Sequence, residues 1–188
     1  MATLGFSTKW PKSMGGGDTL FVPKIWKGLI DNDLAQWAGQ HSEYETWADY
    51  SLSAEIIDSE YYKWFSGNTV FVREQNAKLH TMRQDPKGLW VPGRKIHMVV
   101  FNRTKNRFQF APVLECKSTQ EVSIKYKGGD KYPVVTIDNK QFTANDRYGV
   151  EMLREIAFND GFNSMDHFFM WFNTNDTYKL IHWTDLKY

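Results

Sequence analysis

The sequence predicts an α+β protein in which a compact β core is flanked by helices. Apolar residues make up 41% of the 188 residues and charged residues 24%, so the chain has enough apolar side chains for a packed core. Short β-rich runs separated by Gly, Pro and Asn occupy the middle of the chain. Amphipathic segments precede and follow these runs. The length favours a single domain.

The first predicted element is a helix that Pro23 can open. Its apolar residues recur at helical spacing and would share one face. They are Ile25, Leu29, Ile30, Leu34 and Trp37. The segment 28–68 that follows is acidic and aromatic, and we interpret it as an insertion that is irregular or partly helical.

The central β-rich runs are predicted as strands because apolar and β-branched residues alternate between turn residues. They are 69–72, 95–101, 107–116, 121–126, 134–137 and 140–143, with 178–183 as a closing strand. Asp138-Asn139 fits a two-residue hairpin turn. Two helices are predicted between the last strands, at 146–158 and from a cap at Asn163 or Ser164 to residue 172.

Composition excludes several function classes. The single Cys116 excludes an intramolecular disulfide and a cysteine-based zinc cage. The five histidines show no metal-ligand spacing, so neither a metal nor a cofactor is predicted. No apolar run approaches the ~20 residues that span a bilayer, and no signal peptide is evident, which predicts a cytoplasmic protein without a membrane partner. The turn 15–17 lacks the Gly-Lys-Ser/Thr of a phosphate-binding loop.

The charge is unevenly distributed although the net charge is only +1. Residues 28–72 carry eight Asp and Glu against one Lys, whereas residues 73–107 carry nine Lys and Arg against two Asp and Glu. The basic stretch also contains His80, Trp90, His97 and Phe101. Cations bind phosphates while flat side chains stack on bases, so this stretch suits a polyanion. The alternative is a basic face that the acidic segment neutralises.

Two motifs lie in this region: Lys78-Leu79-His80-Thr81-Met82-Arg83 and Trp90-Val91-Pro92-Gly93-Arg94-Lys95-Ile96-His97. Both resemble the ASCH family of PUA-like domains. Segments 158–162 and 165–172 resemble later parts of the family, and 181–186 is similar to ASCH-type proteins encoded by phages. The resemblance covers roughly residues 69–188. It implies one PUA-like ASCH domain over 1–188, a small PUA-like β-barrel flanked by helices, and RNA or a modified nucleoside as the ligand of a basic cleft.

The resemblance also implies a possible reaction. Some ASCH proteins resemble amidohydrolases that deacylate N4-acetylcytidine with a Lys, a Thr and an acid, which correspond here to Lys78, Thr81 and Asp160. A lysine with a lowered pKa can accept the proton of an attacking hydroxyl, and an acid can protonate the leaving amine. This chain departs from the family in having Asp instead of Glu at residue 160 and in being much longer. The alternative is that these three residues are structural.

Further residues are candidates for ligand contacts. Arg83 can grip a phosphate or a base edge, or form an internal salt bridge. Trp90 is either a stacking platform or a core residue. Some ASCH proteins are similar to ribonucleases, and in an RNA-cleaving protein of this kind His80 is the candidate base. The segment between two predicted strands contains Arg103, Lys105 and Arg107. This pattern predicts an exposed basic loop that contacts phosphates.

Three function classes therefore remain open. The basic stretch favours a nucleic-acid-binding protein, the Lys-x-x-Thr-x-Arg motif favours a hydrolase, and the acidic insertion favours a phage protein that binds a host protein.

Overall fold

The computed structural model describes residues 2–35 and 75–188, which belong to two compact units. Unit 1 comprises Met1–Lys78 and Lys95–Leu114, and unit 2 comprises Leu79–Arg94 and Glu115–Tyr188. The described residues contain three α-helices and two sheets, which confirms the α+β class. Within these residues neither sheet closes into a barrel, so the predicted barrel is not confirmed.

Unit 1 contains a small mixed sheet. Strand β1 (Ala2–Gly5) pairs in parallel with β3 (Lys95–Val100). On its other side β3 pairs antiparallel with β4 (Phe108–Gln109), and it also pairs with β5 (Leu114–Glu115). A 3-10 turn (Lys12–Met14) lies between β1 and the only long helix described in this unit, α1 (Phe21–Asp31).

Helix α1 has part of the predicted apolar face. Ile25 and Leu29 are fully buried, as their spacing predicts, whereas Ile30 is partly exposed. The helix ends at Asp31, so the predicted Leu34 lies beyond it, and Trp37 lies outside the described residues. The buried indole of Trp26 donates a hydrogen bond from Nε1 to the carbonyl oxygen of Phe110 at 2.9 Å. The helix begins two residues before Pro23, and a proline is tolerated there because the first turn of a helix has no carbonyl partner for its N–H groups.

Unit 2 contains an antiparallel sheet of five strands in the order β2-β9-β6-β7-β8. The strands are β2 (His80–Arg83), β6 (Ser118–Lys125), β7 (Val134–Ile137), β8 (Lys140–Phe142) and β9 (Asp176–His182). The predicted hairpin turn joins β7 to β8, and its Asp138 has a positive φ of 40°.

Two helices complete unit 2. Ser164 is one of the two predicted caps of the second helix, whereas Asp146, predicted as the first residue of the first helix, is its cap. Helix α2 (Arg147–Asn159) follows Asp146, whose carboxylate accepts a hydrogen bond from the backbone N–H of Gly149 at 2.8 Å. Helix α3 (Met165–Trp171) follows Ser164, whose hydroxyl accepts from the N–H of His167 at 3.1 Å. Each cap satisfies a donor that the first turn of the helix leaves without a partner.

Some predicted elements differ from the structure. Strand β1 is not predicted, and the predicted strand 107–116 is two short strands, because Pro112 between them has no N–H for the ladder. Strand β6 begins at Ser118, three residues before its predicted start. Residues 28–31 of the predicted insertion belong to α1. The rest of the insertion and the predicted strand 69–72 lie outside the described residues, apart from residues 32–35.

Of the helices in the described part of the chain, none has both the length and the apolar character needed to cross a membrane.

Candidate functional site

A groove lies at the carboxyl ends of β1 and β3 in unit 1. Because the two strands are parallel, the chain leaves both of them at the same edge of the sheet. The segments that follow form the two walls of a groove of about 570 Å³, which we call the β1–β3 groove. It is lined by Gly5, Phe6, Ser7, Thr8, Lys9, Phe101, Asn102 and Arg103.

Backbone hydrogen bonds fix the first wall of the groove. The N–H of Phe6 donates to the carbonyl of Val99 at 2.8 Å, which extends the pairing beyond β1. Thr19 donates from its hydroxyl to the carbonyl of Ser7 at 2.6 Å and from its N–H to the carbonyl of Thr8 at 3.0 Å. The hydroxyls of Ser7 and Thr8 have no hydrogen-bond partner among residues 2–35 and 75–188. They are therefore available to a ligand.

The second wall is a tight loop between β3 and β4. Phe101 and Arg103 have positive φ angles of 51° and 65°, which cost energy in residues with a side chain. Thr104 stabilises the loop: its hydroxyl donates to the carbonyl of Phe101 at 2.8 Å and accepts from the N–H of Asn106 at 3.1 Å. Strained residues often lie at functional sites, because the surrounding structure must hold them in place.

Gly5 brings the two walls close together. A Cβ atom at residue 5 would lie 3.1 Å from Nδ2 and 3.2 Å from Cβ of Asn102, closer than side chains normally approach. A larger residue at position 5 would require the Asn102 side chain to shift by a few tenths of an ångström.

The loop and the groove are cationic. Arg103, Lys105 and Arg107 are exposed, as predicted, and Lys9 is exposed on the opposite wall. No carboxylate of the described residues forms an ion pair with any of these four side chains. In the described part of unit 1, nine Lys and Arg stand against three Asp and Glu. An anion at this edge would meet cations that internal pairs do not neutralise.

Lys78, the first predicted catalytic residue, is a buried residue of unit 1. Its side chain is 1% exposed, and Nζ lies 4.8 Å from the ring centroid of Phe21 and 5.8 Å from that of Phe6. A cation over the face of an aromatic ring is stabilised by the quadrupole of the ring. The backbone N–H of Lys78 donates to the carbonyl of Lys24 at 2.8 Å.

Lys24 is a second buried lysine, and it is not among the residues that the sequence predicts for the site. Burial lowers the pKa of its amine to about 8, because the charged form is poorly solvated. Its position on the buried face of α1, one residue before Ile25, is the only sequence signal of this environment.

Thr81 and Asp160, the other two predicted catalytic residues, are buried in unit 2. Each is 2% exposed. Thr81 lies opposite Ile181 in the pairing of β2 with β9. Asp160 ends α2, and its carboxylate accepts a hydrogen bond from the N–H of Met82 at 3.2 Å. This bond gives Asp160 a structural role, and the catalytic role of Lys78, Thr81 and Asp160 stays a prediction.

Arg83 is partly buried at the end of β2. Burial lowers the pKa of its guanidinium, and the carboxylate of Asp160 opposes this change because it stabilises the cation. An internal electrostatic partner fits the salt-bridge alternative. Contact of Arg83 with a ligand stays a prediction.

His80 belongs to a buried polar cluster in unit 2. Its Nε2 lies 2.8 Å from the hydroxyl of Tyr188, which also accepts a hydrogen bond from Nδ2 of Asn159 at 3.0 Å. Burial raises the pKa of Tyr188. The ring of His182 lies 5.3 Å from that of His80, and no pattern in the sequence indicates that these side chains meet. The cluster fixes the His80 ring, whose predicted role as a base stays a prediction.

Trp90 is 4% exposed and lies in a loop that Asp85 organises. The Asp85 carboxylate accepts hydrogen bonds from the N–H of Trp90 at 2.9 Å and from Nζ of Lys179 at 2.9 Å. Burial alone would raise the pKa of Asp85. The two hydrogen bonds, together with a third from the N–H of Leu89, outweigh this effect, so the pKa lies below its usual value. The buried ring fits the alternative that Trp90 is a core residue, because little of it is open for stacking.

In the two described stretches of the chain, no group of three His, Cys, Asp or Glu side chains is arranged to hold a metal ion. No protein-family model, curated protein or solved structure matches the chain.

Proposed function

We propose that the protein binds RNA, and that the β1–β3 groove and the basic loop of Arg103, Lys105 and Arg107 form the contact surface. One observation carries the proposal: exposed cations without internal ion pairs lie at the edge of a groove whose wall presents free hydroxyls. Most contacts between proteins and nucleic acids go to phosphate and sugar oxygens, and Lys, Arg, Ser and Thr make them.

The groove has the size and chemistry for a nucleotide. Its volume of about 570 Å³ lies in the range of small-molecule sites. Lys9 and Arg103 can neutralise a phosphate from opposite walls, while the hydroxyls of Ser7 and Thr8 can donate to its oxygens. Counterion release from the RNA would then supply much of the affinity.

The proposal extends to the finer fold. The ASCH-like motifs, taken in order, support a PUA-like domain with a small β-barrel flanked by helices. The same resemblance supports a modified nucleoside as an alternative ligand of the chain. A cytoplasmic location is part of this proposal, since RNA is the expected ligand.

The amidohydrolase, the ribonuclease and the phage protein that binds a host protein stay alternatives to this proposal. They rest on motifs and on the acidic segment, and the geometry of the described residues adds no observation in favour of any of them.

The salt dependence of binding tests the proposal. A fluorescently labelled single-stranded RNA is titrated with protein at several salt concentrations, and the slope of log affinity against log salt is measured. Each phosphate neutralised on single strands contributes about −0.7 to this slope. We expect the triple variant Arg103→Ala, Lys105→Ala, Arg107→Ala to flatten the slope by one to three contacts.

The matched control removes the same charge from unit 2. Lys125, Lys127 and Lys140 are exposed there, and their replacement with Ala should leave the slope close to that of the wild type. Equal flattening in both triple variants would assign binding to the overall charge of the protein and reject the loop. A wild-type protein that does not bind RNA at low salt would reject the function.

A further inference from the structure

We infer that the β1–β3 groove binds a phosphomonoester, the terminal phosphate of an RNA strand, and that the backbone N–H groups of Thr8 and Lys9 are its central donors. This inference rests on the proposed function and names the chemical group that the groove recognises.

Two adjacent backbone N–H groups in the first wall point in the same direction. In a trans peptide the C=O and the N–H that follows it point in opposite directions. The carbonyls of Ser7 and Thr8 both accept hydrogen bonds from Thr19, the first from its hydroxyl at 2.6 Å and the second from its N–H at 3.0 Å. The N–H groups of Thr8 and Lys9 therefore both point away from Thr19.

That direction leads toward the second wall. In an extended chain, N–H groups two residues apart lie on the same edge. The N–H of Phe6 donates to the carbonyl of Val99 in β3, so the N–H of Thr8 lies on the edge that faces β3. A regular strand would turn the next N–H to the other edge, but the chain bends at Thr8. The N–H of Lys9 thus joins that of Thr8 on the groove side.

Both N–H groups are available to a ligand. Neither has a hydrogen-bond partner within residues 2–35 and 75–188. Adjacent N–H groups with one direction form the kind of concave donor site that binds anions. Asp18 lies opposite Lys9 in the pairing of the chain but forms no ion pair with it. The charge of Lys9 therefore adds to these donors.

The set of donors fits a phosphomonoester better than a phosphodiester. Two N–H groups, the hydroxyls of Ser7 and Thr8, and the cations Lys9 and Arg103 belong to residues that border one groove. A phosphomonoester has three acceptor oxygens and a charge of about −1.5 to −2 at pH 7. A phosphodiester within a strand has fewer terminal oxygens and a single charge. A strand end therefore satisfies more of these donors than the interior of the strand does.

The place of Arg103 connects this site to the rest of the contact surface. Arg103 borders the groove and is also the first cation of the basic loop. A strand whose end lies in the groove can therefore continue along the loop, where Lys105 and Arg107 meet its next phosphates.

The first experiment compares strand ends on the wild-type protein. Internally labelled oligouridines of one length carry a phosphate at the 5′ end, a phosphate at the 3′ end, or hydroxyls at both ends. We expect one phosphorylated strand to bind roughly ten- to a hundredfold more tightly than the hydroxyl strand, because hydrogen bonds to charged groups are strong. A hydroxyl strand that is two nucleotides longer is the control, since it adds a similar charge as phosphodiesters.

The second experiment locates the donors. ¹H–¹⁵N correlation spectra of the wild type are recorded with uridine, with its 5′-monophosphate and with its 3′-monophosphate. We expect the N–H resonances of Thr8 and Lys9 to move downfield with a monophosphate only, since a hydrogen bond to phosphate deshields the amide proton. The N–H of Trp10 already donates to Gly17 and is the internal control, which should move less.

Side-chain variants test the groups beside these donors. Thr8→Val removes the hydroxyl at nearly constant volume, and Lys9→Met removes the charge. We expect both variants to lose part of the preference for the phosphorylated end. Lys12→Met is the matched control, because Lys12 is an exposed lysine in the 3-10 turn of the same unit, outside the groove. It should keep the preference of the wild type.

The outcomes separate this inference from the proposed function. If the phosphorylated strands bind no better than the longer hydroxyl strand, with a normal salt slope, the monoester site is overturned and RNA binding through internal phosphates stands. A preference for a phosphorylated end without shifts at Thr8 and Lys9 would also overturn the site. A protein that binds the monophosphates or inorganic phosphate but no RNA would reject the proposed function and the strand end as ligand. Binding of none of these probes would overturn both.

Discussion

His182 makes the stability of unit 2 depend on pH. The residue is fully buried, and neither ring nitrogen has a hydrogen-bond partner among the described residues. Burial lowers its pKa to about 4, Lys187 lowers it as well, and Asp138 opposes the change. In the unfolded chain the ordinary pKa of 6.5 returns. Between pH 6.5 and about 4 the unfolded state therefore binds a proton that the folded state rejects.

We predict that the free energy of unfolding has its full value above pH 6.5 and falls as the pH decreases toward 4. From pH 7 to pH 5 the contribution of His182 should decrease by about 2 kcal/mol. Urea unfolding of the wild type and of His182→Phe at both pH values measures it. The variant removes the ionisable group at residue 182 and leaves the neighbouring side chains His80, Asp138, Lys187 and Tyr188 in place. If the free energy of unfolding decreases equally in both proteins between pH 7 and pH 5, the pH dependence belongs to other groups.

Single residues also show what a sequence can reveal about a site. The sequence predicts an exposed loop at Arg103, Lys105 and Arg107. Three cations within five residues are costly to bury, so a segment of this kind between two strands is normally exposed. Lys24 was not singled out, since one lysine on an amphipathic helix is normally solvated. Its burial depends on packing in unit 1, which the helical pattern does not encode.

At the scale of elements, the start of α2 contains a glycine that packing requires. A Cβ atom at Gly149 would lie 1.9 Å from the carbonyl oxygen of Thr143, which is backbone and cannot rotate away. Helix propensity alone predicts that Gly→Ala within a helix stabilises it by up to about 1 kcal/mol. The contact predicts the opposite sign, because the helix would have to move from the end of β8.

We therefore predict that Gly149→Ala destabilises the protein by about 1–3 kcal/mol or more in urea unfolding. Gly128→Ala is the matched control, since no atom lies within 4 Å of its added Cβ and its φ is ordinary. It should change the free energy of unfolding by less than about 0.5 kcal/mol. A Gly149→Ala variant as stable as the control would show that α2 shifts without cost.

Elements with local signals were predicted better than elements without them. The β7–β8 hairpin, the Ser164 cap and the start of α2 near Asp146 follow from residues only a few positions apart. Strand β1 has four residues, and its partner β3 lies more than ninety positions further along the chain. No local pattern specifies a parallel pairing of this kind. The β1–β3 groove depends on that pairing, so the groove was missed while the basic loop at its edge was found.

At the scale of the whole molecule, the net charge of +1 does not show how unevenly the charge is distributed. The proposed function depends on this uneven distribution. The described residues of unit 1 have a clear excess of Lys and Arg, whereas unit 2 has twelve Lys and Arg and twelve Asp and Glu. The sequence located this excess only approximately. Its basic stretch 73–107 also included Lys78, which is buried, and Arg83, which is partly buried beside Asp160. The fold decides which of these cations are exposed, and only exposed cations can serve the proposed function.

RNA binding and hydrolysis of N4-acetylcytidine can be tested separately on the whole protein. We predict that the protein binds RNA and releases no acetate from N4-acetylcytidine, measured by mass spectrometry of the nucleoside. Thr81 and Asp160 are buried, and the Asp160 carboxylate already accepts a hydrogen bond from Met82 and stabilises the charge of Arg83. A carboxyl group held in this way is poorly placed to give a proton to a leaving amine.

Three variants make this prediction falsifiable. Thr81→Val removes the hydroxyl at nearly constant volume, Thr81→Ser keeps it, and Asp160→Asn keeps an acceptor for the N–H of Met82 while removing the acid. Acetate release by the wild type would contradict the prediction. A loss of about 10²–10⁴-fold in Asp160→Asn, with Thr81→Val inactive and Thr81→Ser active, would then establish the hydrolase. If all three variants bind RNA as the wild type does and none of the four proteins releases acetate, Thr81 and Asp160 serve the fold of unit 2.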